Sequence, residues 1–241
     1  MKSFLLTVAG FDPTGGAGIL RDVGTFNRFG FLGASAITAN TAQNSKGVRE
    51  VLFTPPTLLL SQIELILEEL PIEGAKFGIA HESAAANERA LKLVKGKTGT
   101  IVYDPVISPT LGKSFINNLS AIRPFVEHSS VITPNLSEYL KLKRAFGSLL
   151  DEKTLVIKGI VEGKTVRNVI LERGRETASF RYEKREGEVR GTGCAFSSAL
   201  LSLLSRGISL NEAVREAGEF LKRYRESSLP FMEEAQNYPL L

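Results

Sequence analysis

The chain has one cysteine among 241 residues, two histidines and no tryptophan. A single thiol excludes an internal disulfide, and so few soft ligands exclude a His/Cys zinc site. No apolar stretch approaches the roughly 20 residues that a membrane span needs. Near the start, Phe4–Ala9 is apolar but shorter than the roughly 7 to 15 residues of a signal-peptide core, and it runs into Asp12-Pro13. It reads as a buried strand. Charge of one sign is missing as well: 30 Lys and Arg against 26 Asp and Glu leave a net +4. The two signs alternate, as in Tyr182-Glu183-Lys184-Arg185-Glu186, so no basic block supports nucleic-acid binding. A small positive excess suits an anionic substrate, and a lone free cysteine suits the reducing cytoplasm.

What is present is a 43% hydrophobic sequence, enough to bury the core of one α/β domain over residues 1–241. Short β-branched runs alternate with stretches of helical periodicity. Strands are expected at Phe4–Ala9, Ala34–Thr38, Gly74–Phe77, Thr100–Tyr103, Val131–Thr133 and Leu155–Lys158. Helices are expected at Ala17–Arg28, Pro56–Leu70, Ala84–Leu93, Cys194–Leu204 and Leu210–Tyr224. Val166–Glu172 and Thr177–Tyr182, flanking Arg173-Gly174-Arg175, read as an antiparallel hairpin. The expected fold is a three-layer α/β/α sandwich with a mostly parallel central sheet and an antiparallel edge hairpin. The tail, Ser227–Leu241, shows no periodicity.

Several segments carry residues suited to chemistry. Arg190-Gly191-Thr192-Gly193-Cys194 leads into a small, apolar helix. Glycines let backbone approach an anion, and free N–H groups at a helix start attract it, although the same residues also fit an ordinary glycine turn. Cys194 at that position is a thiol whose pKa a helix start would lower, or else an inert buried cysteine. Ala9-Gly10-Phe11-Asp12-Pro13-Thr14-Gly15-Gly16 lies where an open α/β sheet binds ligands, while Asp12 also fits a turn cap. Asp104 ends a strand, Glu138 starts a helix, and Lys158 ends another strand. Each has a structural use as well as a functional one.

Taken together and in order, these segments resemble the hydroxymethylpyrimidine/phosphomethylpyrimidine kinases of the ribokinase-like superfamily. The resemblance rests on AGFDPTGGAGI at Ala9–Ile19, the AQN segment ending Thr38–Asn44, DPV at Asp104–Val106, TPNLSE at Thr133–Glu138, VIKG at Val156–Gly159 and RGTGC at Arg190–Cys194. It implies ATP and Mg²⁺ as cofactors, a small pyrimidine substrate and a homodimer without nucleic-acid or membrane partners. By the same match, Cys194 is the catalytic base, and Gly191, Thr192 and Gly193 form an anion hole. Gly10, Asp12, Gly16, Asp22, Gln43, Ile79 and Val106 are implied on the substrate side. Asp104, Asn135, Glu138, Lys158 and Thr192 are implied on the nucleotide side, with Asp104 and Glu138 at the metal. Gln43 offers one acceptor and two donors to an aminopyrimidine edge.

The sequence departs from the family mainly around specificity. Ile79 stands where a Met is usual, Leu20-Arg21 replace Gln-Ala before Asp22, and Ile107-Ser108-Pro109-Thr110-Leu111-Gly112 follows Val106 in place of a Met and a Ser-Gly pair. Lys158-Gly159-Ile160-Val161 lacks a second Gly and a His. Related pyridoxal kinases share the fold and a GTGC-like site, so pyridoxal phosphorylation is the rival activity. A catalytically silent ligand-binding protein of the same fold is the rival class. A dinucleotide-dependent oxidoreductase would need GxGxxG after a strand, and Phe196 occupies the last Gly position.

Overall fold

In the computed structural model of the chain, the described residues are 3–107, 115, 118–184, 187, 189–229 and 237–239. The segment 108–112, singled out above as a departure, lies outside them, as does most of the tail.

Burial on both faces explains the central strands. In β1 (Phe4–Phe11), Leu6 and Val8 point into one core while Leu5 points into the other, as a period of two requires. The same division holds in β5 (Thr100–Tyr103), with Ile101 and Tyr103 on one side and Val102 on the other. Strands β2 (Leu32–Asn44), β4 (Ile72–Phe77), β6 (Val131–Ile132) and β7 (Thr154–Glu162) complete the parallel region. Two antiparallel strands follow at one edge, β8 (Thr165–Glu172) and β9 (Arg175–Glu183). With β3 (Gly47–Phe53) at the other edge, the sheet order is β3-β2-β1-β4-β5-β6-β7-β8-β9.

Helices cover both faces, which gives the expected three layers. On one side lie α2 (Pro56–Glu69), α3 (Ala84–Lys95), α4 (Arg123–His128), α5 (Leu136–Phe146) and the single turn α6 (Ser148–Asp151). On the other lie α1 (Gly18–Arg28), α7 (Thr192–Ser205) and α8 (Leu210–Glu226). No helix among the described residues is long and apolar enough to cross a membrane.

The structure differs from expectation at three places. Strand β2 does not end at Thr38: it continues through Gln43 and turns back as β3 (Gly47–Phe53), an antiparallel strand at the opposite edge. Strand β7 passes Lys158 and reaches Glu162, with a register irregularity between Ile157 and Ile160. Helix α7 starts at Thr192, two residues before the expected start, because Gly191 adopts φ 70° as its N-cap. These changes place Gln43, Lys158 and Gly191 on ordered backbone at the rim of one cavity.

Candidate active site

The cavity, of about 450 Å³, opens at the carboxyl ends of the parallel strands, where such sheets bind ligands. Its centre is the start of α7. Gly191 has to be glycine, because its φ of 70° is left-handed and a Cβ there would overlap the Gly16 carbonyl oxygen. A Cβ on Gly193 would lie 3.3 Å from Lys158 Nζ, so the Lys158 ammonium stands directly beside the free N–H groups of the helix start. Backbone amides, helix dipole and lysine all favour negative charge at this point.

A buried line of charge runs beneath the helix start. Asp104 leaves the end of β5, held by its N–H donating to the Phe77 carbonyl at 2.8 Å. Lys158 donates to Asp104 Oδ1, and the Ser197 hydroxyl donates to Asp104 Oδ2 at 2.9 Å. Lys76, fully buried, lies 2.6 Å from Asp22 Oδ1 and 3.9 Å from Asp104 Oδ2. Asp22 also accepts from Thr7 Oγ1 at 2.7 Å and from Ser198 Oγ at 2.9 Å. Burial alone would raise Asp104, but the Lys158 and Lys76 ammoniums outweigh it and hold the carboxyl below its usual range. Burial likewise works against charge on Lys76, yet Asp22, Cys194 and Asp104 together raise its pKa.

The residues expected on the nucleotide side converge through an unusual junction. The Lys158 N–H donates to the Pro134 carbonyl at 2.9 Å, which brings the start of α5 against β7. There Asn135 and Glu138 form a reciprocal capping box: Glu138 N–H donates to Asn135 Oδ1 at 2.9 Å, and Asn135 N–H donates to Glu138 Oε2 at 2.8 Å. Burial pushes the Glu138 carboxyl up to about 7; Lys158 opposes that rise and the Asp104 charge adds to it.

The family model described as phosphomethylpyrimidine kinase matches residues 12–238. The chain belongs to the phosphomethylpyrimidine kinase family. Members of that family are phosphotransferases, and the chain is one. The hydroxymethylpyrimidine/phosphomethylpyrimidine kinase of Aquifex aeolicus is 31% identical over 234 residues, covering 90% of this chain and 91% of the relative. That of Escherichia coli is 32% identical over 237 residues, covering 90% and 88%. The solved phosphomethylpyrimidine kinase of Clostridium difficile superposes with TM-score 0.71 at 27% identity, covering 92% of this chain and 99% of that one. The Staphylococcus aureus pyridoxal kinase solved with ADP has TM-score 0.82 at 20% identity, covering 98% and 92%, a likeness of fold.

Of the expected site residues, Gly10, Gln43, Ile79, Asp104, Val106, Asn135, Glu138, Lys158, Gly191, Thr192, Gly193 and Cys194 all line this one cavity. A Cβ on Gly10 would lie 2.7 Å from Ile79 Cδ1, so a side chain there would displace the end of Ile79. Asp12, Gly16 and Asp22 do not line the cavity. Asp22 is spent on Lys76, Asp12 on Arg190, and Gly16 backs Gly191. They stand behind the residues that line it.

One expectation needs correction. The helix start is expected to lower the Cys194 thiol. Burial instead pushes it up to about 11, with Asp22 and Asp104 adding to the rise against Lys76 and the Gly18 N–H, which bonds the sulfur. Asp104, expected at a metal or its waters, has Lys158 on Oδ1, Ser197 on Oδ2 and Lys76 nearby. Among the described residues no cluster of three potential ligands occurs.

Sequence reasoning gave no role to Lys76, Ser197 or Arg190. Lys76 carried a signal: a lysine between Ala75 and Phe77, in a strand buried on both faces, needs a carboxylate partner. Nothing local marks Arg190, whose partners lie far away in the chain.

Proposed function

We propose that the chain transfers the γ-phosphoryl group of ATP, with Mg²⁺, to a hydroxymethyl-aminopyrimidine and to its monophosphate. The observation that carries this reading is one cavity lined by Gln43, Lys158, Cys194 and the glycines at the start of α7, with the Lys158 ammonium beside Gly193. The carboxamide suits a small heteroaromatic alcohol, and the helix start with its lysine suits a polyphosphate.

Glu138 fits a divalent cation. Its pKa is raised because burial, with the Asp104 charge beside it, penalises the bare carboxylate; a bound cation would offset that penalty, and Mg²⁺ takes few protein ligands because it retains water. Glu138 would hold it directly and Asp104 through water. Bound there, Mg²⁺ would neutralise charge on the phosphate oxygens. In the reaction the substrate hydroxyl oxygen bonds to the γ-phosphorus as the bond to the β,γ-bridging oxygen breaks, and ADP leaves with that electron pair. Cys194, a thiol in the ligand-free protein, first loses its own proton to solvent and then, as thiolate, takes the hydroxyl proton. The Gly191–Cys194 amides and the Lys158 ammonium hold the charge on the transferred group. For the monophosphate, the nucleophile is already largely ionised near neutral pH and needs no strong base.

The test is a substrate panel with MgATP: the pyrimidine alcohol, its monophosphate and pyridoxal. Higher kcat/KM for the pyrimidine alcohol than for pyridoxal supports the reading; the reverse order replaces it with pyridoxal phosphorylation. A cytoplasmic homodimer belongs to the same reading, and light scattering on the purified protein tests the assembly.

A further inference from the structure

Arg190 joins three loops that the chain keeps far apart. Its Nη2 donates to Asp12 Oδ2 at 2.7 Å and to Gln43 Oε1 at 3.4 Å, while its Nη1 donates to the Asn44 carbonyl at 2.7 Å. The pair with Asp12 is nearly excluded from water, with side-chain exposures of 8% and 0%. The residue is itself anchored, since Tyr224 Oη donates to the Arg190 carbonyl at 2.8 Å, and the next residue is Gly191 of the anion hole. Arg190 and Gln43 both line the cavity.

A guanidinium has donors and no acceptor, so the carboxamide atom facing it has to be oxygen. The guanidinium takes one of that oxygen's two lone pairs and fixes which way the carboxamide faces, and the NH2 group keeps both its donors for a ligand. We propose that Arg190 is a specificity-determining positioning residue: it fixes the Gln43 carboxamide so that the acceptor substrate must present a hydrogen-bond acceptor, such as an unprotonated ring nitrogen. This rests on the function proposed above and deepens it, because it gives the match between Gln43 and the pyrimidine edge a single orientation, with the NH2 donors fixed in place. A planar fork is essential to the device. One ammonium can balance Asp12 but cannot also span Gln43 and Asn44.

The test is therefore Arg190→Lys, which keeps the charge opposite Asp12, compared with the parent and with Gln43→Ala and the double variant. Substrates are the pyrimidine alcohol and analogues in which each ring nitrogen in turn is replaced by C–H. In the parent, one analogue should lose roughly 10-fold to 100-fold in kcat/KM, the range for a buried group left unpaired. Arg190→Lys should raise the KM for the pyrimidine alcohol and reduce that discrimination, leave the KM for MgATP within about 3-fold, and make the further change Gln43→Ala nearly silent, as coupled residues do. Discrimination kept by Arg190→Lys, additive losses in the double variant, or an equal loss in MgATP use would overturn the proposal. Should the parent turn over no pyrimidine, the functional reading fails, and the Gln43 side-chain amide signals in ¹⁵N NMR of the ligand-free proteins decide the proposal: displaced signals in Arg190→Lys support it, and unmoved ones overturn it.

Discussion

Lys76 Nζ lies 2.6 Å from Asp22 Oδ1, and neither side chain reaches solvent. This pair sits under the start of α7, with Asp104 on the far side of the lysine, so the floor of the active site is an ion cluster in a dry interior. Removing one partner of such a pair costs far more than replacing both, because it strands a buried charge. Lys76→Met should lower stability by about 3 to 5 kcal/mol. Lys76→Met with Asp22→Asn should recover a substantial part of that loss. Urea unfolding of the parent and both variants measures it, and a double variant no more stable than the single one would contradict the account.

Gly191 and Gly193 make opposite demands. Gly191→Ala forces a left-handed residue, at about 1 to 2 kcal/mol, and adds an overlap with the Gly16 carbonyl. It should lower the melting temperature clearly. In Gly193→Ala the new methyl meets only the flexible end of Lys158, and alanine favours a helix by up to about 1 kcal/mol. Stability should hold or rise while turnover falls. Calorimetry beside steady-state rates separates the two; equal destabilisation would show that both glycines serve the fold alone.

The Cys194 thiol, pushed up to about 11, is protonated at neutral pH in the ligand-free protein. As the only cysteine, it can be followed without interference. Its alkylation rate should climb about tenfold per pH unit from pH 7 to 10 with no plateau, because only the thiolate reacts. A plateau near pH 8 would show that the helix start governs after all. In catalysis, Cys194→Ala should slow phosphorylation of the alcohol by roughly 10² to 10⁴ and slow the monophosphate step distinctly less, which single-turnover rates at saturating MgATP will read.

Glu138 predicts a pH dependence of stability with a definite sign. Its folded pKa of about 7 exceeds its ordinary 4.5, so between these values the folded state holds more proton than the unfolded one. Stability attributable to this group therefore falls as pH rises from 4.5 to 7 and is level above that, a loss on the order of 3 kcal/mol. Glu138→Gln keeps an oxygen for the Asn135 N–H and removes the titration. The variant should show a flatter stability profile across that window; an unchanged slope would assign it to other groups.

Much of this molecule was legible in linear order. Runs such as Leu5–Ala9 and Thr100–Tyr103 are apolar on both faces, and only a covered parallel sheet buries them so. The glycines before Cys194 likewise announced a helix start near a ligand, because backbone conformation is a local property. The hairpin Val166–Tyr182 was readable from its turn, whereas β3 was not: its exposed, mixed residues Gly47–Phe53 carry no core pattern, and its pairing with Gln43 is decided by the partner strand. Tertiary structure alone set the charges. The helix start beside Cys194 is local and lowers a thiol, but burial with Asp22 and Asp104, drawn from distant segments, outweighs it. Arg190 meets Asp12 across 178 positions of chain, a distance no motif spans. Residue type and periodicity specify the elements and where a ligand can sit, since those follow from neighbours along the chain; which carboxylate faces which cation follows from packing, because electrostatic energy depends on separation in space and exposure to water.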